Sequence, residues 1–104
     1  MITINSIQEY NSLINQGKTV LLDFYADWCG PCRTQIPILE KFSDTVGDDI
    51  IIAKVNVDTQ PELAGQFGVR SIPTIAIVDK GHVQYQKSGV HTEQVLTDLL
   101  AVNA

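Results

Sequence analysis

TVLLDFYADWCGPC, residues Thr19 to Cys32, runs from an almost unbroken apolar segment straight into the only two cysteines of the chain. Thr19 to Ala26 carries one acid, Asp23, in its middle, and a run of this kind reads as a parallel strand covered on both faces. Beyond the cysteines the period changes. Ile36, Leu39, Phe42 and Val46 keep helical spacing, and Pro37, which removes an internal hydrogen bond, should kink that helix. Trp28-Cys29-Gly30-Pro31-Cys32 therefore stands where a strand ends and a helix opens, the place where ligand sites of open α/β sheets gather.

Working outward, Ile2 to Ile4 is a short apolar stretch, and Ser6-Ile7-Gln8-Glu9 reads as a capping box for a helix with Ile7, Tyr10, Leu13 and Ile14 on one stripe, ended by Gly17. IIIAKVNVD, Ile50 to Asp58, is a second buried strand. Thr59 and Glu62 suggest another capping box, with Pro61 in the first turn of a helix through Phe67. TIAIVDKGHVQYQKS, Thr74 to Ser88, predicts an antiparallel hairpin turning at Lys80-Gly81. From Thr92, the residues Val95, Leu96, Leu99, Leu100 and Val102 mark a closing amphipathic helix. Long crossovers followed by a hairpin imply an α/β fold with a mixed sheet, parallel first and antiparallel last, and helices on both faces.

At 104 residues the chain suits one domain, 1–104, with one hydrophobic core. Its 44% hydrophobic and 18% charged residues are those of a water-soluble globular protein, and no apolar run approaches the roughly 18 residues of a membrane span. The start MITINSIQEYN lacks a basic segment followed by an apolar one, so a cytoplasmic location is expected. A net charge of −5 disfavours nucleic acid and anionic membranes as partners, since both attract basic patches.

Two thiols three positions apart suit a structural bridge, half of a metal site, or a pair that alternates between joined and free. So short a loop gains little from cross-linking. A closed zinc site wants four ligands, and His82 and His91, the only histidines, stand outside motif spacing and read as solvated loop residues. Redox exchange fits the chemistry best. A cysteine opening a helix faces backbone N–H groups that have no intrahelical partner, which favours thiolate over thiol at Cys29. Cys32 shares its helix face at about 5–6 Å between Cβ atoms, so the pair opens and closes with little backbone motion. Gly30 is expected to let the turn approach closely, and Pro31 to fix its shape.

Trp28-Cys29-Gly30-Pro31-Cys32 resembles the active site of the thioredoxin family. The resemblance covers essentially the whole chain: DFYADWCGPC (Asp23 to Cys32), Pro37, AKVNVD (Ala53 to Asp58), GVRSIPT (Gly68 to Thr74), Gly81 and Gly89 stand in order at family spacing. It implies a thioredoxin fold in which Cys29 is the exposed nucleophile and Cys32 resolves the mixed disulfide. It places Asp23 beneath Cys32 as a proton acceptor, with Lys54 nearby. Burial would raise the Asp23 pKa and Lys54 would lower it. It further implies a cis Ile72-Pro73 bond packed against the cysteines, and an apolar rim of Trp28, Gly30, Pro31, Ile72, Gly89 and Val90 for docking extended target segments by strand addition.

The same resemblance implies a protein-disulfide reductase without bound cofactor or metal. It would act as a monomer on disulfide-containing target proteins and be recharged by a flavoprotein thioredoxin reductase. The family fold also serves as a binding scaffold, and as an oxidase or isomerase; intact WCGPC speaks against the first, and Gly-Pro between the cysteines against the second. Arg33, Tyr25 and Thr34-Gln35 vary from common family choices at positions that bear on target preference.

Overall fold

The computed structural model describes residues 1–103, with side chains through Ala101. Its elements run β1 (Ile2–Thr3), α1 (Ile7–Ile14), β2 (Thr19–Tyr25), α2 (Gly30–Ser43), β3 (Ile50–Asn56), α3 (Pro61–Gln66), β4 (Thr74–Asp79), β5 (His82–Ser88) and α4 (Glu93–Asn103). The strands form one sheet in the order β1-β3-β2-β4-β5. β1 and β2 flank β3 in parallel, whereas β4 pairs antiparallel with β2 and with β5, so the sheet is mixed as its connections require.

The acid-interrupted apolar run becomes the central strand. Every residue of β2 is buried, because helices cover both faces. Strand alternation divides its side chains: Val20, Leu22 and Phe24 join Tyr10, Leu13, Leu63 and Ala64 on one face, while Leu21 joins Leu39, Phe42, Leu96 and Leu100 on the other. Asp23 has the parity of Leu21 and so belongs to the face covered by α2 and α4. Each fully buried Leu, Ile or Phe contributes about 1.5–3 kcal/mol, so the two layers clamp the sheet between its helices.

Local signals explain most of the boundaries. At the start of α1, Ser6 Oγ accepts from Glu9 N at 3.1 Å; Glu9 Oε2 in turn accepts from Asn5 N at 2.6 Å, one residue earlier than a reciprocal box would place it. The hairpin turn has positive φ at both Lys80 (52°) and Gly81 (82°), the conformation that matches the twist of the paired strands. The second capping box does not form. The N-cap of α3 is Gln60, with no side-chain capping bond, because Asn56 O already gathers Thr59 N, Thr59 Oγ1 and Gln60 N into a turn. In α4, Leu96 and Leu100 are buried and Val95 is exposed, while the Val102 side chain lies outside the described residues.

Phe24 is fully buried, its ring centroid 5.1 Å from that of Phe67, which also meets Tyr10 edge-on at 5.7 Å. Phe24→Ala should therefore lower unfolding free energy by about 3–5 kcal/mol, read as a lower urea midpoint at unchanged slope. A loss below about 1 kcal/mol would show that β2 is not the strand on which the core depends.

Candidate active site

β2 ends at Tyr25, and four residues later Cys29 becomes the N-cap of α2 with extended backbone (φ −87°, ψ 114°). Pro31 occupies the first turn of the helix, where its missing N–H deprives no partner. Cys32 N donates to Cys29 Sγ at 3.2 Å, so the sulfur takes the place a serine or aspartate oxygen usually fills at a helix start. The two sulfurs are joined as a disulfide, with Cα atoms 5.2 Å apart. Tyr25, Ala26, Ile36, Val57 and Ile72 pack around them.

Cys29 is less open than the sequence suggests: 5% of its surface is exposed, against none for Cys32. The apolar packing from Ile72 and Val57 accounts for this, and the ordering of the pair survives, with Cys29 the outer residue. Beyond its own turn, Gly30 is not crowded. A Cβ built there would meet Arg33 Nη2 at 3.9 Å and nothing nearer.

Asp23 is wholly buried, and neither carboxylate oxygen has a hydrogen-bond partner among the described residues. Lys54 stands opposite it in the parallel β2–β3 register, but is not within ion-pair distance. Its Nζ instead lies 5.4 Å from the centroid of the Tyr25 ring. Burial wins the contest that the sequence leaves open: desolvation pushes the Asp23 pKa up to about 7, against a smaller downward pull from Lys54. A carboxyl without a partner, on the α2-facing side of the sheet, is an uncommon arrangement in a protein core.

The Ile72-Pro73 bond is cis, and the Ile72 carbonyl oxygen lies 3.7 Å from Cys29 Sγ. Pro73 is buried; its own carbonyl accepts from Gly89 N at 2.8 Å, which ties the loop after β5 to the proline. Gly89 has φ +107°, a conformation open to glycine and strained for other residues. Around this point Trp28 is 68% exposed and Val90 42%, large apolar surface that the core does not claim. Gly30 and Pro31 are exposed as well, and Ile72 partly so. Trp28 is held by a bond from its Nε1 to Asp58 Oδ2 at 2.8 Å.

His82 is exposed as expected, but His91 is not a solvated loop residue: it is 5% exposed and fully engaged. Its backbone N donates to Gln35 Oε1 at 2.6 Å, and Gln35 Nε2 donates to its carbonyl at 3.0 Å. The imidazole sits 2.7 Å from Gly89 O through Nδ1 and 2.8 Å from Tyr85 Oη through Nε2. Gln35 is wholly buried one turn beyond Cys32, beside the apolar stripe that Ile36 opens in the sequence. The signal was present, since Cys32, Gln35, Leu39 and Phe42 also keep helical spacing. Among the described residues no three of His, Cys, Asp and Glu gather as a metal site would require.

This geometry can be set beside known proteins. The family model named Thioredoxin matches residues 1–102. A thioredoxin of Alicyclobacillus acidocaldarius is 41% identical over 92 residues, covering 88% of each chain. One from Chlorobaculum thiosulfatiphilum is 47% identical over 77 residues, covering 74% of this chain and 71% of its own. The crystal structure of Fasciola hepatica thioredoxin superposes over the whole of both chains with a TM-score of 0.91 at 29% identity. A mixed sheet, a cysteine-capped helix and the matches in sequence and fold agree: the chain belongs to the thioredoxin family.

Proposed function

We propose that the chain is a dithiol carrier that reduces disulfides in target proteins, with Cys29 as nucleophile and Cys32 as resolving thiol. The observation that carries this reading is the Cys32 N–H directed at Cys29 Sγ on the N-terminus of α2. In the reduced protein the same donor and the helix dipole would stabilise a Cys29 thiolate. That thiolate attacks one sulfur of a target disulfide; the S–S bond breaks, and the displaced target thiolate takes up a proton. Cys32 then loses its proton and attacks Cys29 Sγ, releasing the second target thiolate. Two electrons have passed to the target, and the Cys29–Cys32 disulfide remains. Because the second attack is intramolecular, it gains the high effective concentration of a positioned group.

Asp23 is the proton acceptor for Cys32 in this reading. A carboxyl with a pKa of about 7 is matched to taking a proton near neutrality, where an ordinary aspartate would be too weak a base. Lys54 is assigned a moderating role, holding that pKa below what burial alone would produce. Trp28, Gly30, Pro31, Ile72, Pro73, Gly89 and Val90 form the docking rim. The Ile72 backbone beside Cys29 offers an extended target segment a strand to pair with, and that recognition is indifferent to most side chains. The natural targets are thus disulfide-bearing proteins. A flavoprotein thioredoxin reductase restores the dithiol, and the chain works as a cytoplasmic monomer without bound cofactor. No helix among the described residues is long and apolar enough to cross a membrane.

Cys29→Ser is expected to abolish dithiothreitol-driven reduction of insulin, whereas Cys32→Ser should accumulate target-linked species on non-reducing electrophoresis. Full insulin reduction by Cys29→Ser would refute the assigned nucleophile.

Asp23 also makes a stability prediction. Its carboxyl titrates near the ordinary value of 3.8 in the unfolded chain and at about 7 in the folded one, so folding takes up a proton between these values. Stability from this group is intact below the unfolded pKa and declines as pH rises through the folded one. Asp23→Asn should consequently stabilise the protein at pH 8 by roughly 4 kcal/mol, with little effect at pH 3, while slowing the Cys32 step. Equal urea midpoints for the two proteins at pH 8 would contradict a buried, partnerless carboxyl.

A further inference from the structure

Gln35 makes no contact with the reacting sulfurs that the mechanism uses, yet it is a wholly buried polar side chain on the active-site helix, one turn past Cys32. Both ends of its amide are spent on one residue: Oε1 accepts the His91 N–H and Nε2 donates to the His91 carbonyl. This is a two-bond ladder between a side chain and the two peptide groups that flank one residue. It fixes the position and the orientation of the loop after β5, where a single bond would leave rotation free.

The loop so held contains Gly89 and Val90, immediately before His91. Its other anchors come from different directions. Gly89 N reaches the Pro73 carbonyl, and the imidazole of His91 spans from Gly89 O to Tyr85 Oη on β5. Since a carbonyl only accepts, Nδ1 carries the ring proton and Nε2 accepts from the tyrosine, the neutral form of the ring. Burial, with a smaller contribution from Lys87, keeps the His91 pKa below its ordinary value despite the Gly89 bond, in keeping with that form. Val90, with α2 on one side and the proline loop on the other, is thereby presented outward at 42% exposure.

We propose that Gln35 is a positioning residue for target docking: its paired bonds to the His91 backbone lock the Gly89-Val90 loop to the helix that carries Cys32. The inference rests on the reading of that loop as part of the docking rim. Without Gln35, the His91 N–H and C=O are buried and unpaired, and the loop must move to satisfy them in water. The rim then loses its fit to a protein target, while the sulfurs and the helix N-terminus that governs them stay in place.

The test compares a protein disulfide with a small one that needs no rim. Gln35→Leu keeps the bulk of the side chain and removes both bonds. It should raise the KM for insulin about tenfold at nearly unchanged kcat, while the rate constant for reduced protein with cystine stays within about twofold of wild type. Gln35→Glu keeps an acceptor for the His91 N–H and loses the donor, so it should fall between the two; the same readouts on that variant decide the matter if Gln35→Leu does not fold. An unshifted insulin KM, or equal losses with insulin and cystine, would overturn the proposal. Failure of wild-type protein to reduce insulin would instead overturn the reductase reading on which it rests, so the two failures are distinct.

Discussion

The N–H of Cys32 directed at the sulfur of Cys29 is the contact on which the rest of the molecule depends. It exists because β2 delivers the chain to the start of α2 and because Pro31 preorganises the first turn of the helix. In the reduced protein a sulfur in that position would receive the unpaired donors and the positive end of the dipole together, which favours the charged form. Other parts of the fold act on this point. The sheet carries a buried, partnerless acid on the face that α2 covers, and the proline loop lays a carbonyl next to the sulfur.

Two opposed uses of burial meet within a few residues. On most of β2 burial stabilises, since its aliphatic and aromatic side chains leave water for two packed layers. At Asp23 the same burial works against stability, because it withholds every partner a carboxylate would use and forces the pKa upward. Lys54 stands in register yet beyond ion-pair distance, which leaves the acid titratable near neutrality; a tight pair would hold it ionised. In the proposed reaction that cost is offset by a base matched to the Cys32 proton near neutrality.

The central strand, the helix after it, the hairpin turn and the closing helix are all legible from hydrophobic period and turn chemistry, because each depends on neighbours in sequence. The motif gives Cys29 and Cys32 their place at a helix opening, and the interruption of an apolar run gives Asp23 its burial. What local reading misses has a common cause in long-range partners. Asn56 pre-empts the cap expected from Thr59, and nothing near Thr59 reveals that. His91 reads as a solvated loop histidine until the distant Gln35 and Tyr85 are brought against it. Gln35, for its part, looks like a polar lapse in a helix until its partner 56 positions away is known.

If the helix terminus acts on Cys29 alone, it is the ionised form of that sulfur that is favoured. Alkylation of the fully reduced protein by iodoacetamide across a pH series, with each cysteine followed separately by mass spectrometry, measures this directly. Cys29 should react far faster than Cys32, with a midpoint well below the value of about 8.5 for a free cysteine. Equal, slow reaction of both cysteines with the midpoint of a free thiol would contradict it.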